Sequence, residues 1–181
     1  MIVLVGKTCS GKTVIRDALA ELGVEKLISY TTRPMRNGEK DGVTYHYVSK
    51  SEFIIKQNEG FFFETSSYKV AYGQTWYYGT AFEDLSDDKV AIVNPEGLKK
   101  IKAIKNIIPI VFYITASDEV LKVRLLDRGD NPREAKRRLN ADNKDFENIE
   151  YDCLIDNDSY LFTPMELAKI ILDEYEKRRK V

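Results

Sequence analysis

Eight residues near the start of the chain constrain its fold more than any other segment: Gly6-Lys7-Thr8-Cys9-Ser10-Gly11-Lys12-Thr13. They match the pattern G-x-x-x-x-G-K-[ST]. Ile2 to Val5, just before them, is apolar on both faces and reads as a fully buried strand. Lys12 to Leu22 reads as a helix, with Val14, Ile15, Ala18, Leu19 and Leu22 on one face and Gly23 suited to the position past its end. A buried strand, a glycine-rich turn and a helix start together make backbone N–H groups converge on an anion, and the helix N-terminus adds partial positive charge. In such a loop Lys12 reaches the β- and γ-phosphates of a nucleotide, and the Thr13 hydroxyl coordinates Mg²⁺. A chance lysine in a glycine-rich turn would not bring the flanking strand and helix with it. Cys9 reads as a small residue tolerated in the loop rather than a redox group.

Further buried-type strands are expected at Val90–Val93, Ile110–Ile114 and Cys153–Ile155, with helical patterns between and after them. Strands alternating with helices predict an α/β fold with a parallel sheet. Ser49-Lys50-Ser51-Glu52 and Thr163-Pro164-Met165-Glu166 fit capping boxes, the second with proline in the first turn. The last helix is expected to bury Leu167, Ile170, Ile171 and Tyr175. Between Thr31 and Thr80 the texture changes to tyrosine, phenylalanine, glycine and alternating polar residues. There Thr44–Val48 and Gly60–Glu64 look like short antiparallel strands inserted on the α/β core.

The chain has 181 residues, enough for one domain with a sizeable core, and a formal net charge of -1. A charge near zero gives no global attraction to nucleic acid or an anionic membrane. Two cysteines are too few for a disulfide framework, and no apolar run is long enough to span a bilayer, so a cytoplasmic enzyme is expected. The lone His46 should point away from Tyr45 and serve packing or surface. No histidine–cysteine cluster supports protein-bound zinc or iron.

The run Ser29-Tyr30-Thr31-Thr32-Arg33-Pro34-Met35-Arg36-Asn37-Gly38-Glu39 is followed by Asp41-Gly42-Val43-Thr44-Tyr45, Gly60-Phe61-Phe62-Phe63-Glu64 and Tyr77-Tyr78-Gly79-Thr80. In order, these segments resemble the guanylate kinase signatures S-x-T-T-R-x-x-R-x-G-E, D-G-x-x-Y, G-x-F-x-E and Y-Y-G-[ST]. Asp127-Arg128-Gly129 to Arg138-Leu139 looks like that family's arginine-bearing lid, and Tyr151-Asp152 to Asn157-Asp158 is similar to its Y-D-x-x-I-x-N-D segment. The resemblance covers nearly the whole chain. It implies a P-loop three-layer αβα fold with a parallel core sheet (1–30 and 81–181, lid about 127–139). A small antiparallel GMP-binding insertion would occupy 31–80.

The implied reaction is Mg²⁺-dependent phosphoryl transfer from ATP to GMP. ATP would bind at Gly6, Lys7, Thr8, Cys9, Ser10, Gly11, Lys12 and Thr13, with Asn157 on the adenine side and Thr13 on the metal. GMP would bind at Ser29, Arg33, Arg36, Tyr45, Glu64, Tyr78 and Thr80. The residue chemistry fits these roles. Forked guanidiniums hold a phosphate dianion, and a carboxylate reads the N1–H and N2–H₂ donors of guanine. Two anions must approach each other, so cations are needed along the path: Lys12, Arg36, Arg128 and Arg138, with Arg137 as the alternative to Arg138. ATP and GMP are the expected partners, with no nucleic acid or membrane, on a monomer or homodimer.

The pattern breaks at Val90-Ala91-Ile92-Val93-Asn94-Pro95-Glu96-Gly97, where the family shows D-[IV]-[DE]-x-Q-G. Ile92 and Asn94 replace the two acidic residues, one of which normally helps hold the Mg²⁺ shell. The lid also runs one residue short. Two alternatives stand beside the lead reading: a kinase of another phosphorylated acceptor, of the ribose-bisphosphate type, and a catalytically weak interaction module. Glu64 with Ser29 argues against the first, and the intact Gly11-Lys12-Thr13 against the second.

Overall fold

The computed structural model describes residues 1–70, 73–158 and 161–180, with Glu134 described by its backbone alone. Along the chain the elements begin β1 (Ile2–Val5), α1 (Lys12–Glu21), β2 (Glu25–Lys26), β3 (Tyr30–Thr31), β4 (His46–Tyr47) and α2 (Lys50–Asn58). They continue with β5 (Phe62–Lys69), β6 (Thr75–Ala81), β7 (Lys89–Ile92), α3 (Pro95–Lys102) and β8 (Ile110–Thr115). Then come α4 (Asp118–Asp127), α5 (Pro132–Asp145), β9 (Cys153–Asp156) and α6 (Pro164–Arg179). The chain divides into two compact units, Met1–Lys26 with Asp87–Val181, and Leu27–Ser86.

The larger unit is built on a five-stranded sheet of order β2-β7-β1-β8-β9, and every pairing in it is parallel. Central β1 pairs Ile2 with both Val90 and Ile110, and all four of its residues are buried, in keeping with its unbroken apolar run. Helices α1 and α6 pack on each other and on this sheet. Ile2, Leu4, Ile15, Leu19, Phe112, Ile114, Leu167 and Ile171 form one buried cluster. Burial of each such side chain contributes roughly 1.5–3 kcal/mol, so the loops leaving the strands start from a rigid base. Ala116, Leu121, Leu125, Ala135 and Leu139 form a second cluster that joins α4 to α5. Among the described residues no helix is long and apolar enough to cross a membrane.

Two apolar expectations fail. Val14 is 52% exposed and Ile170 is 42% exposed. Each lies beside the buried stripe of its helix, which Ile15, Ala18 and Leu19 fill in α1 and Leu167, Ala168, Ile171 and Tyr175 fill in α6. The α6 capping box is complete. At α2 the Ser49 hydroxyl accepts from the Glu52 N–H at 3.1 Å.

The smaller unit carries a four-stranded sheet of order β4-β3-β6-β5. The β3–β6 and β5–β6 pairs are antiparallel, whereas β3 and β4 run parallel, so the sheet is mixed. The Thr44–Val48 strand shortens to His46–Tyr47, because the chain between β3 and β4 is turns and loop rather than a hairpin. Phe53 from α2 stacks on Phe62 with ring centroids 4.6 Å apart. A Cβ at Gly79 would lie 2.8 Å from the Phe62 ring, so glycine is required there for the stack to form. His46 packs on Tyr30, ring centroids 4.5 Å apart.

Candidate functional site

In the larger unit, the loop after β1 lies at the carboxyl ends of the parallel strands, where open α/β sheets bind ligands. Gly6 and Gly11 have φ of 150° and 102°. A Cβ on Gly6 would come within 2.2 Å of the Ile114 carbonyl oxygen, and one on Gly11 within 2.2 Å of Asn157 Nδ2. The loop therefore wraps closely against the ends of β8 and β9, and only glycine fits at its two corners. Ser10 is fully buried, Thr13 is exposed at the start of α1, and Cys9 packs against the α4–α5 cluster.

Lys12 folds back over this loop. Its ammonium donates to the carbonyls of Gly6 (2.7 Å) and Lys7 (2.6 Å) and to Ser10 Oγ (3.3 Å). Burial pulls its pKa down to about 8, with the charge of Asp142 acting in the opposite direction. Asn157 donates through Nδ2 to the Ser10 carbonyl at 2.8 Å. Arg124 donates to the carbonyls of Asn157 (2.8 Å) and Cys9 (3.4 Å). Asn157 is thus a strut that fixes the loop, and the next residue, Asp158, accepts from the N–H and hydroxyl of Ser117 at the start of α4.

Arg128 and Arg138 meet one carboxylate. Arg128 donates to Asp130 Oδ2 through Nε (2.9 Å) and through Nη2, and Arg138 Nη1 lies 4.0 Å from Asp130 Oδ1. Arg138 is half-buried beside Asp130, whereas Arg137 is exposed. At the end of β7, Ile92 packs against the main core. Asn94 caps α3, its Oδ1 accepting from the Gly97 N–H at 2.8 Å, with Pro95 in the first turn.

In the smaller unit, Glu64 and Thr80 are buried and directly opposite each other across the β5–β6 pair. A β-bulge between Phe62 and Glu64 sets that register. Thr80 Oγ1 donates to Glu64 Oε1 at 3.3 Å and lies 3.3 Å from Ser29 Oγ. Carboxylate and hydroxyls therefore form one connected set.

A second set surrounds Arg33, which is buried. Its guanidinium grips Glu39 with two hydrogen bonds, 2.8 and 2.7 Å, and donates to the Pro34 carbonyl at 2.7 Å. The Tyr45 and Tyr47 rings lie 5.4 and 5.8 Å from it, and Tyr78 packs on Tyr45. Glu39 also accepts from the Tyr47 hydroxyl and the Arg36 N–H, each at 2.7 Å. Burial favours neutral Glu39, but the hydrogen bonds from Arg33, Tyr47 and Arg36 outweigh it and hold the pKa at about 2. Burial likewise opposes the Arg33 charge, and Glu39 more than restores it. Tyr47 is pushed up to about 12 by burial and its bond to Glu39.

Sequence reasoning assigned no role to Glu39, Tyr47, Asp130 or Asp142. Glu39 ends the Ser29–Glu39 run, so its place is visible in the sequence though its partners are not. Nothing in the sequence links Asp142 to Thr8, 134 residues away.

The profile of the guanylate kinase family matches residues 1–174. The chain belongs to the guanylate kinase family. Within that family it is 34% identical over 184 residues to the guanylate kinase of Symbiobacterium thermophilum, covering 96% of this chain and 85% of that one. It is also 34% identical to the guanylate kinase of Desulfotalea psychrophila, covering 99% and 92% of the two chains. The crystal structure of guanylate kinase from Anaplasma phagocytophilum shares the fold, with a TM-score of 0.67 at 23% identity over 98% of this chain and 85% of that one.

Proposed function

We propose that this protein transfers the γ-phosphoryl group of ATP to GMP, giving ADP and GDP, in the cytoplasm. The observation that carries this reading is the buried Glu64 carboxylate joined to Thr80 and, through it, to Ser29. A buried carboxylate held by hydroxyls suits a base edge made of N–H donors, which among the common nucleobases is guanine. Arg33, Arg36, Tyr45 and Tyr78 would hold the acceptor phosphate. Glu39 orients Arg33 and leaves the Nε edge of its guanidinium for a second anion.

On the donor side, glycine at both corners lets the loop wrap against the Ile114 carbonyl and Asn157, and its N–H groups would receive phosphate oxygens. Lys12 would exchange its loop carbonyls for the phosphates. Arg128 and Arg138 would leave Asp130 for the transferring group and neutralise its charge. No group of three or more histidine, cysteine or acidic side chains able to hold a metal exists among the described residues. Mg²⁺ would bind largely through phosphates and water, with few protein ligands. Thr13 is the residue that would hold it, and the ion would neutralise charge on the bound phosphates. Asn94, where the family resemblance would place an acidic residue, serves here as the cap of α3.

Glu64→Gln tests the reading. It leaves the fold and Thr80 in place but turns one acceptor into a donor facing guanine. KM for GMP should rise at least about fivefold while KM for ATP holds, since a mispaired buried polar group costs about 1–3 kcal/mol. Equal KM values for GMP in both proteins would remove Glu64 as the base reader.

A further inference from the structure

The Thr8 N–H, inside the phosphate loop, donates to Asp142 Oδ2 at 2.5 Å. Asp142 lies near the end of α5, and its neighbour Asn143 donates to Asp118 at 3.0 Å. Asp118 also accepts from Lys7 Nζ at 2.9 Å. The first half of the loop is therefore fastened to α5 on two adjacent residues. The Asp142 carboxylate is half-buried, and it acts electrostatically on Lys12 and Arg138.

Phosphate loops concentrate N–H groups and positive charge to receive an anion. Here part of that set already faces one. Thr8 N–H and Lys12 face Asp142, while Arg128 and Arg138 face Asp130. Burial raises the Asp142 pKa, as expected for a carboxylate held partly out of water.

We propose that Asp142 is a placeholder anion of the donor site, which a nucleoside triphosphate must displace from the Thr8 N–H, so that this carboxylate sets nucleotide affinity according to the number of phosphates. The inference rests on the reading of Gly6–Thr13 as a triphosphate cradle. A polyphosphate and a carboxylate cannot both take the same N–H, and they repel each other at close range. In the free protein the carboxylate satisfies a loop donor and balances Lys12, at a cost in affinity. Asp142 follows Arg138 by one helical turn on α5, so its displacement acts on the same helix that carries a lid arginine.

Calorimetric titration of the wild type, Asp142→Asn and Asp142→Ala with ATP, ADP and AMP, each with and without Mg²⁺, tests this. Asparagine still accepts from the Thr8 N–H but carries no charge. The Asn143–Asp118–Lys7 link is intact in both variants, and a circular dichroism melt verifies their folding. Asp142→Asn should bind ATP about fivefold tighter, equivalent to about 1 kcal/mol, with a smaller gain for ADP and none for AMP. Asp142→Ala should shift in the same direction. Unchanged affinity, or uniform weakening for all three nucleotides, would make Asp142 a strut and overturn the inference. Weakening confined to Mg²⁺-containing titrations would make it a metal ligand and overturn it equally. A wild type that bound no nucleotide would sink the cradle reading itself, and the inference with it; tight wild-type binding without a gain in Asp142→Asn sinks the inference alone.

Discussion

Replacing Glu39 by glutamine removes one charge from a closely paired site in the smaller unit. Four hydrogen bonds, all 2.7–2.8 Å long, end on this carboxylate: two from Arg33, one from Tyr47 and one from the Arg36 N–H. The Arg33 side chain is 3% exposed and that of Glu39 is 17% exposed. Removing one partner of a buried pair costs about 3–5 kcal/mol, because the other charge is left uncompensated. Glutamine retains one acceptor, and the site is partly open, so about 2–3 kcal/mol is expected here. Trp76, in β6, is the single tryptophan of the chain, so its emission during urea unfolding reports on this unit. The acidic limb supplies a second readout. Because the folded pKa of Glu39 lies below its ordinary value, its contribution is present above pH of about 4.5 and disappears as pH falls toward about 2. The wild type should lose stability through that window and Glu39→Gln should lose less. A loss below about 0.5 kcal/mol for the variant at neutral pH would place the pair among solvated surface ion pairs and refute the argument.

Lys12 makes opposite predictions for stability and for binding. Its pKa is lowered to about 8 from 10.5, so the free protein should gain stability as pH rises from 8 toward 10.5, while ATP affinity should fall over the same range. Chemical denaturation and calorimetry across that range check the two slopes, and Lys12→Met should flatten both. Asn94→Asp should leave the melting temperature unchanged, because aspartate and asparagine cap helices about equally well. Its turnover should also change little; a large rise would mean that the missing carboxylate limits the wild type.

The strand–loop–helix from Ile2 to Glu21 was legible in the sequence because its information is contiguous: strand, loop and helix start follow within one stretch, and glycines mark the corners that β8 and Asn157 crowd. The parallel sheet was legible for a related reason, since strands buried on both faces leave nearly unbroken apolar runs. Val14 and Ile170 were misplaced because a helical wheel cannot say where a buried stripe ends. The parallel direction of β4 was hidden because a two-residue strand carries no directional signal. The internal counter-charges were hidden most completely. Asp142 with Thr8 and Asp130 with Arg138 are chosen by packing of α5, and the same aspartates on a solvated helix would leave the same letters in the sequence.

Transfer to GMP is the reaction to be measured. Purified protein with Mg²⁺ and ATP, assayed for ADP release against GMP, dGMP, AMP and ribose phosphates, addresses it directly. ADP formation that depends on a guanine nucleotide, with GDP or dGDP appearing in equal amount and AMP and ribose phosphates inert, is the expected result. Turnover of a ribose phosphate with GMP inert, or no acceptor-dependent ADP at all, would contradict the account.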